Sequence, residues 1–182
     1  MDNKTSPIRV GIVGYGNLGR GVEAALAKNP DMAAAAIYTR RNPAQLQPLH
    51  TGVAVYGMDQ LLAHQDRLDV LILCGGSKDD LPQQSPQLAT HFSLVDSFDT
   101  HARIPAHFEA VDAAARAGKT TALISAGWDP GVFSLNRLMG DSLYANPMLL
   151  GYAWQKGWVP LRLDSLLRAI ELNNMAVEAN KT

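Results

Sequence analysis

Ile8-Arg9-Val10-Gly11-Ile12-Val13-Gly14-Tyr15-Gly16-Asn17-Leu18-Gly19 is the stretch that decides the fold. Ile8 to Gly14 is rich in β-branched residues and ends in glycine, the pattern of a buried parallel strand. Leu18 to Lys28 has the composition of a helix, and Asn29-Pro30 stops it. Between them lies Gly14-Tyr15-Gly16-Asn17-Leu18-Gly19. Three glycines in a row of six are a weak signal alone. Here they follow a strand, open a helix and lie in a strand–helix–strand unit of about 30 residues, the setting of a dinucleotide-binding turn. In that setting Gly14 permits the tight turn and Gly16 lets the backbone approach a pyrophosphate. Gly19 lets the helix pack close to the sheet, and the free N–H groups of the helix start face the anion.

Working outward, the same alternation repeats. Met32 to Thr39 reads as a second strand, weakened by four alanines, and Asn42 to Gly52 as a polar loop. Val53 to Tyr56 reads as a short edge strand and Met58 to His64 as a short helix. Leu68 to Cys74 is the most strand-like run in the chain. A proline-marked helix is expected over 84–91, a strand over Phe92 to Asp96, and a helix over Pro105 to Ala117, ended by Gly118. A strand follows over Thr120 to Ser125 and a helix over Val132 to Tyr144. Strands alternating with helices across short loops predict an α/β fold, a doubly wound parallel sheet of the Rossmann type. Ligands of such sheets sit beyond the carboxyl ends of the strands, so the residues after each strand are the candidates.

The second strand end selects the cofactor. An NAD site carries Asp or Glu there, about 20 residues beyond the glycine turn, to hold the ribose 2′-hydroxyl. This chain has Thr39-Arg40-Arg41 and no acid. A hydroxyl and two guanidiniums suit a 2′-phosphate, which predicts NADP. At the strongest strand's end, Cys74-Gly75-Gly76-Ser77 lets the backbone pass beneath a cofactor, while Cys74 reads as a small buried residue rather than a nucleophile. Asp96 and Ser97 follow the next strand, and Asp99 lies just beyond. Ala126-Gly127-Trp128-Asp129-Pro130-Gly131 follows the last. Asp99 and Asp129 fall where a substrate would meet the nicotinamide. As a pair they suit a cationic amino group, or one of them a base; equally, each fits a turn or cap. His101 is a further candidate. The five histidines have no metal-ligand spacing, so no metal site is expected.

Composition sets the outer limits. The 182 residues are 47% hydrophobic and 18% charged, which suits a packed domain rather than a disordered chain. Sixteen basic and 17 acidic residues leave a net charge of −1, so no nucleic-acid footprint is expected. One cysteine gives no disulfide framework. Met1 to Pro7 is polar, and no run approaches the roughly 18 apolar residues of a membrane span. A soluble, cytoplasmic protein without a membrane partner is the expectation.

Together these motifs resemble meso-diaminopimelate dehydrogenase. The matching stretches are IRVGIVGYGNLGRGVE, Tyr38 to Arg41, Leu71 to Cys74 with Gly76-Ser77, Val95 to His101, Ile104-Pro105 and Gly127 to Arg137. They span about residues 7–138 in colinear order. The resemblance implies NADP-dependent oxidative deamination at the D-centre of meso-2,6-diaminopimelate, giving the 2-oxo acid and ammonia, in lysine and cell-wall precursor synthesis. It implies that Tyr15 to Leu18 face the pyrophosphate and that Thr39, Arg40 and Arg41 hold the 2′-phosphate. Asp99 and Asp129 would contact the substrate's D-centre, with Trp128 beside them. The chain departs from the family pattern at Thr39, Gly75 and Arg103, and in length. The family is nearly twice as long, and its further half forms the substrate and dimerisation domain. Weak or no turnover is therefore expected of this chain alone, and a homodimer stays open.

Residues 139–182 are expected to be a helical appendage to a dinucleotide-binding domain over 1–138, with a fusion or truncation junction near Leu138 to Asp141. Asn146 to Gly157 and Leu166 to Asn173 resemble the end of indolepyruvate ferredoxin oxidoreductases. Leu163, Leu166, Leu167 and Ile170 fall at helical spacing. Two alternatives follow: a non-catalytic NADPH-binding module, and a fragment of a 2-oxoacid ferredoxin oxidoreductase. The lack of cluster-ligating cysteines counts against independent activity of the second kind.

Overall fold

The computed structural model describes residues 6–132, apart from the side chains of Asp129 and Pro130. The chain divides into two compact units, Met1–Pro130 and Gly131–Thr182. The helix expected over 132–144, the tail helices and the expected boundary at 138 lie outside the described residues.

Six strands form one sheet: β1 (Ile8–Val13), β2 (Met32–Thr39), β3 (Ala54–Gly57), β4 (Val70–Leu73), β5 (Leu94–Asp96) and β6 (Ala122–Leu123). Their order is β3-β2-β1-β4-β5-β6, and every neighbouring pair is parallel. This is the doubly wound order, with the direction of winding reversing between β1 and β4. The chain leaves β1 toward one edge and returns to β4, so the ends of these two strands open a crevice.

Side-chain alternation on β1 builds two cores. Val10 and Ile12 join Ile37, Tyr15 and Leu26 on one face. Val13 joins Tyr38, Leu71, Leu73 and Leu94 on the other. Helix α1 (Asn17–Leu26) covers the first face through Leu26 and Val22. Helices α2 (Leu81–Ala89) and α3 (Ile104–Gly118) cover the second through Leu81, Leu88, Val111 and Ala115. Each fully buried aliphatic side chain of this kind contributes about 1.5–3 kcal/mol relative to exposure. The alanine-rich β2 pairs with β1 from Met32 to Tyr38. Register steps from Val10↔Ala34 to Gly11↔Ala36, so Ala35 is the extra residue of a bulge.

Several element bounds differ from the sequence reading, each for a local reason. Helix α2 starts at Leu81 rather than 84, because Pro82 fits a helix's first turn. The expected 58–64 helix is two 3-10 segments, Met58–Gln60 and Leu62–Arg67. Helix α3 runs through Gly118, and the left-handed residue is Lys119 (φ 54°). Gly118 is needed for packing instead: a Cβ there would run into the Thr90 backbone. Strand β6 is only Ala122–Leu123, since Ser125 turns left-handed (φ 56°).

At the amino end of the crevice strands, Arg9 and Asp69 pin β1 to β4. Arg9 donates from its backbone N (2.7 Å), Nε (3.0 Å) and Nη2 (2.7 Å) to the Asp69 carboxylate. The Arg9 side-chain hydrogen bond, then its backbone N–H, brings the Asp69 carboxyl down to about 2. The unfolded value is near 4, so this contribution is full above about pH 4 and is lost as pH falls through about 2. Replacing Asp69 by Asn is expected to flatten the loss of stability between about pH 4 and 2, measured as urea midpoint against pH. A variant with the parent's acid slope would contradict the assignment.

Candidate active site at the carboxyl strand ends

The glycine turn is built by close backbone approaches. Gly14 has φ +90°, and a Cβ on it would lie 3.2 Å from the Cys74 carbonyl carbon and oxygen. Its N donates to Tyr38 O (2.9 Å), and Cys74 N donates to Val13 O (2.7 Å), so the ends of β1, β2 and β4 are stitched together. A Cβ on Gly19 would overlap the Gly14 carbonyl, so the first turn of α1 sits directly on the end of β1. A Cβ on Gly16 would meet nothing within 4 Å. That open space faces the start of α1, which no side chain caps and whose first turn carries no acid. Uncapped N–H groups and the helix dipole favour an anion there.

A cleft of about 360 Å³ lies beside this turn, between Gly16, Asn17 and Arg20 on one side and Arg41 and the 45–47 loop on the other. Its lining residues include two arginines, Asn17, Gln45 and Gln47, and no carboxylate. Arg41 donates from Nη2 to the Tyr15 carbonyl and from its backbone N to Thr39 Oγ1 (3.1 Å). Thr39 is buried. Arg40 points elsewhere: Nη1 and Nη2 donate to the two Asp80 oxygens at 2.8 and 3.0 Å. Asp80 also accepts the Gly76 N–H (2.9 Å). That backbone hydrogen bond and then Arg40 outweigh burial and hold the Asp80 carboxyl below its usual range.

The Tyr15 ring is buried, and its hydroxyl donates to Glu23, which is itself only 1% exposed. Glu23 also accepts the N–H groups of Leu49 (3.1 Å) and His50 (2.9 Å). Burial pushes the Glu23 carboxyl up, but Tyr15 and these N–H groups outweigh it and bring it below its usual value. Leu18 is exposed at the helix start. Facing the expected pyrophosphate, Tyr15 therefore offers its backbone rather than its ring.

On the other side of the crevice, Asp96 organises the loops. Its carboxylate is buried and accepts Ser85 Oγ (2.6 Å), Phe98 N (3.1 Å) and Ser125 N (2.9 Å), and is paired with His107 Nε2 (2.7 Å). Asp96, expected at the cofactor, thus has its side chain committed to the interior. Ser77 Oγ accepts Asp99 N (2.8 Å), which joins the loops after β4 and β5. Cys74 is half-buried, and burial pushes its thiol up to about 12, as a packing residue requires. Ser97 is half-buried, while Asp99 and His101 are exposed. Trp128 is 63% exposed and opens a π-helical turn, Trp128–Val132; the Asp129 side chain lies outside the described residues.

The expected residues whose side chains are described therefore gather at one end of the sheet, together with five that were not expected: Glu23, Asp80, Arg20, Ser85 and His107. Glu23 was legible in principle: it lies on the face of α1 that carries buried Gly19 and Leu26. Asp80 precedes a Leu-Pro helix start, a position that favours a capping acid. Arg20, Ser85 and His107 carried no such signal. Among the described residues, no cluster of three His, Cys, Asp or Glu could hold a metal ion. No described helix is long and apolar enough to cross a membrane.

Strand order, glycine turn and crevice together define a doubly wound α/β domain of the Rossmann type. The chain is similar, more narrowly, to meso-diaminopimelate D-dehydrogenases. It is 57% identical over 170 residues to that enzyme of Ureibacillus thermosphaericus, covering 93% of this chain and 51% of the relative. That match leaves only a dozen residues outside it, so it runs past residue 138, where the motif resemblance stops. The C. glutamicum diaminopimelate dehydrogenase, solved in complex with DAP, superposes with a TM-score of 0.69 at 44% identity, over 78% of this chain and 43% of that one. An engineered D-amino acid dehydrogenase solved with bound NADP+ matches with the same TM-score, identity and coverage. No protein-family model matches the chain. The chain spans about half the length of the curated relatives it matches.

Two outcomes test this site. Asp96→Ala strands a buried imidazole, a hydroxyl and two N–H groups, and is expected to cost about 3–5 kcal/mol in urea unfolding. A loss below about 1 kcal/mol would remove Asp96 as the organiser of these loops. Cys74 is expected to resist iodoacetamide at pH 8 in the native protein and to react once unfolded; rapid native alkylation would show an activated thiol.

Proposed function

We propose that this chain is the NADP-binding part of a meso-diaminopimelate D-dehydrogenase, acting at the D-configured, amino-bearing centre of its substrate. One observation carries the reading. The cleft beside the glycine turn is lined by guanidinium and amide groups without a carboxylate, where an NAD site would carry an acid. The solved relatives with NADP+ and with DAP support it. The residues present fit the cofactor. The space at Gly16 admits a pyrophosphate to the α1 N–H groups, and Arg41 with Thr39 flanks the ribose side.

When bound, NADP+ supplies the acceptor for the hydride that leaves the amino-bearing carbon. The chain's own residues position the partners. Cys74 to Ser77 passes beneath the cofactor, and Ser77 fixes the backbone of Asp99. Asp99 and Asp129 hold the substrate ammonium, with Trp128 as a wall and Ser97 at the nicotinamide end. A cytoplasmic location, a homodimer, a domain boundary near 138 and the lack of nucleic-acid and membrane partners belong to the same proposal. Weak turnover of residues 1–182 taken alone belongs to it as well.

Titration of the purified chain with NADPH and NADH, followed by tryptophan fluorescence, is the test. NADPH is expected to bind at least about tenfold more tightly, a preference of about 1.4 kcal/mol. NADPH formation with meso-diaminopimelate is then expected to be slow or undetectable. Binding of neither nucleotide by the folded chain, or equal binding of both, would overturn the reading.

A further inference from the structure

We infer that His107 of α3 is a positioning residue for the substrate end of the crevice: it aims the buried Asp96 carboxylate so that one oxygen holds both loops that carry Asp99 and Trp128. The substrate roles of Asp99 and Trp128 rest on the function proposed above; the aiming rests on geometry. An ionised carboxylate has about four acceptor sites and no donor. At Asp96 the acceptor sites are filled, and they divide by element. Oδ2 accepts from two helices, Ser85 Oγ of α2 at 2.6 Å and His107 Nε2 of α3 at 2.7 Å. Oδ1 accepts from two loops, Phe98 N after β5 at 3.1 Å and Ser125 N after β6 at 2.9 Å. The terminal torsion of an aspartate is broad and sets no direction by itself. The two helix donors set it by holding Oδ2, which leaves Oδ1 turned to the loops. The trio is not a nucleophilic triad, because Ser85 is buried and donates to Asp96 rather than to His107.

His107 is suited to this task. Its side chain is 3% exposed and that of Asp96 0%, so water competes little for their bond. Its ring also stacks on Phe98, with centroids 4.1 Å apart and planes 20° apart. The residue that fixes the carboxylate thus bears directly on one of the residues whose N–H that carboxylate receives. The effect reaches the site by a short path on each side. Phe98 is followed by Asp99, whose N donates to Ser77 Oγ at 2.8 Å. Ser125 is followed by Ala126, whose N donates to the Asp96 carbonyl at 2.8 Å, and the chain then runs through Gly127 to Trp128. Both arms of the proposed ammonium site are therefore referenced to one carboxylate, and through it to a histidine buried beneath them.

NMR of the isotope-labelled full chain gives the test. In the parent, a long-range proton–nitrogen spectrum is expected to show a proton on His107 Nε2, and the amides of Phe98, Asp99, Ser125 and Ala126 are expected to be protected from hydrogen exchange. His107→Asn, whose amide is too short to reach Asp96, is expected to speed exchange at these amides by about tenfold or more, while amides of β1 and β2 keep their parent rates. His107→Gln, whose amide nitrogen falls near the position of Nε2, is expected to restore part of the protection, which a space-filling role would not do. NADPH affinity is expected to stay within about threefold of the parent in both variants, because the phosphate end is built on α1 and the end of β2. A bare Nε2 in the parent, parent loop rates in His107→Asn, no rescue by His107→Gln, or equal acceleration in β1 and the loops overturns the inference and leaves the NADP reading intact. So does a fall in NADPH affinity as large as the change in exchange. Where His107→Asn does not fold, the parent spectrum and His107→Gln decide. A parent that binds no NADPH overturns the proposed function, and that failure shows in the titration rather than in the exchange rates.

Discussion

The contact between Gly19 and the Gly14 carbonyl is the constraint on which the site depends. No side chain fits between them, so α1 starts directly above the end of β1. That fixes the helix axis toward the point where the sheet's winding reverses, and it leaves the uncapped N–H groups over open space at Gly16. A single methyl at Gly19 would lift the helix off the sheet. The Tyr15 carbonyl that receives Arg41 and the Tyr15 ring beneath Arg20 would both move with it.

Two buried carboxylates then do for the loops what glycine does for the helix. Glu23 lies under the β2 side and Asp96 under the β5 side, each about 1% exposed. Both accept backbone N–H groups from segments that follow strands: Leu49 and His50 for Glu23, Phe98 and Ser125 for Asp96. A buried charge is stable only when its lone pairs are filled, so each acid tolerates few alternative loop positions. Loop geometry at the carboxyl ends is thereby set from inside the domain. Ser125 shows the cost: it adopts a left-handed conformation and leaves its buried hydroxyl without a partner among the described residues while presenting its N–H to Asp96.

Much of this was legible in the sequence, because periodicity and glycine placement are local signals. Strand β2 has the expected bounds, and β1 and β4 fall within theirs. The parallel, doubly wound character of the sheet followed from the alternation of elements. What could not be read depends on partners far apart in the chain. The Arg40–Asp80 pair spans 40 residues, and the Asp96–Ser125 contact spans 29. The adjacent arginines looked equivalent because a motif records order and not direction. Gly118 misled for a related reason: a glycine near a helix end suggests a left-handed cap, but here it makes room for the Thr90 backbone, and Lys119 takes the left-handed turn.

The two ends of the proposed cofactor track also differ in how they are held. At the phosphate end, Arg41, Tyr15 and Glu23 are tied to one another and to the strand ends by hydrogen bonds within the described residues. At the nicotinamide end, Asp99 and Trp128 are exposed, and the backbone N–H of Asp99 is anchored on Ser77 Oγ. Phosphate recognition needs fixed donors and tolerates water. Hydride transfer needs the reacting carbon held close in a site from which water is excluded. The first requirement is met by groups that unit Met1–Pro130 itself supplies. The second calls for walls around Asp99 and Trp128 that keep water from the reacting carbon. In the proposed reading, cofactor selection is thus set by the sheet and its loops, apart from the groups that turnover would require.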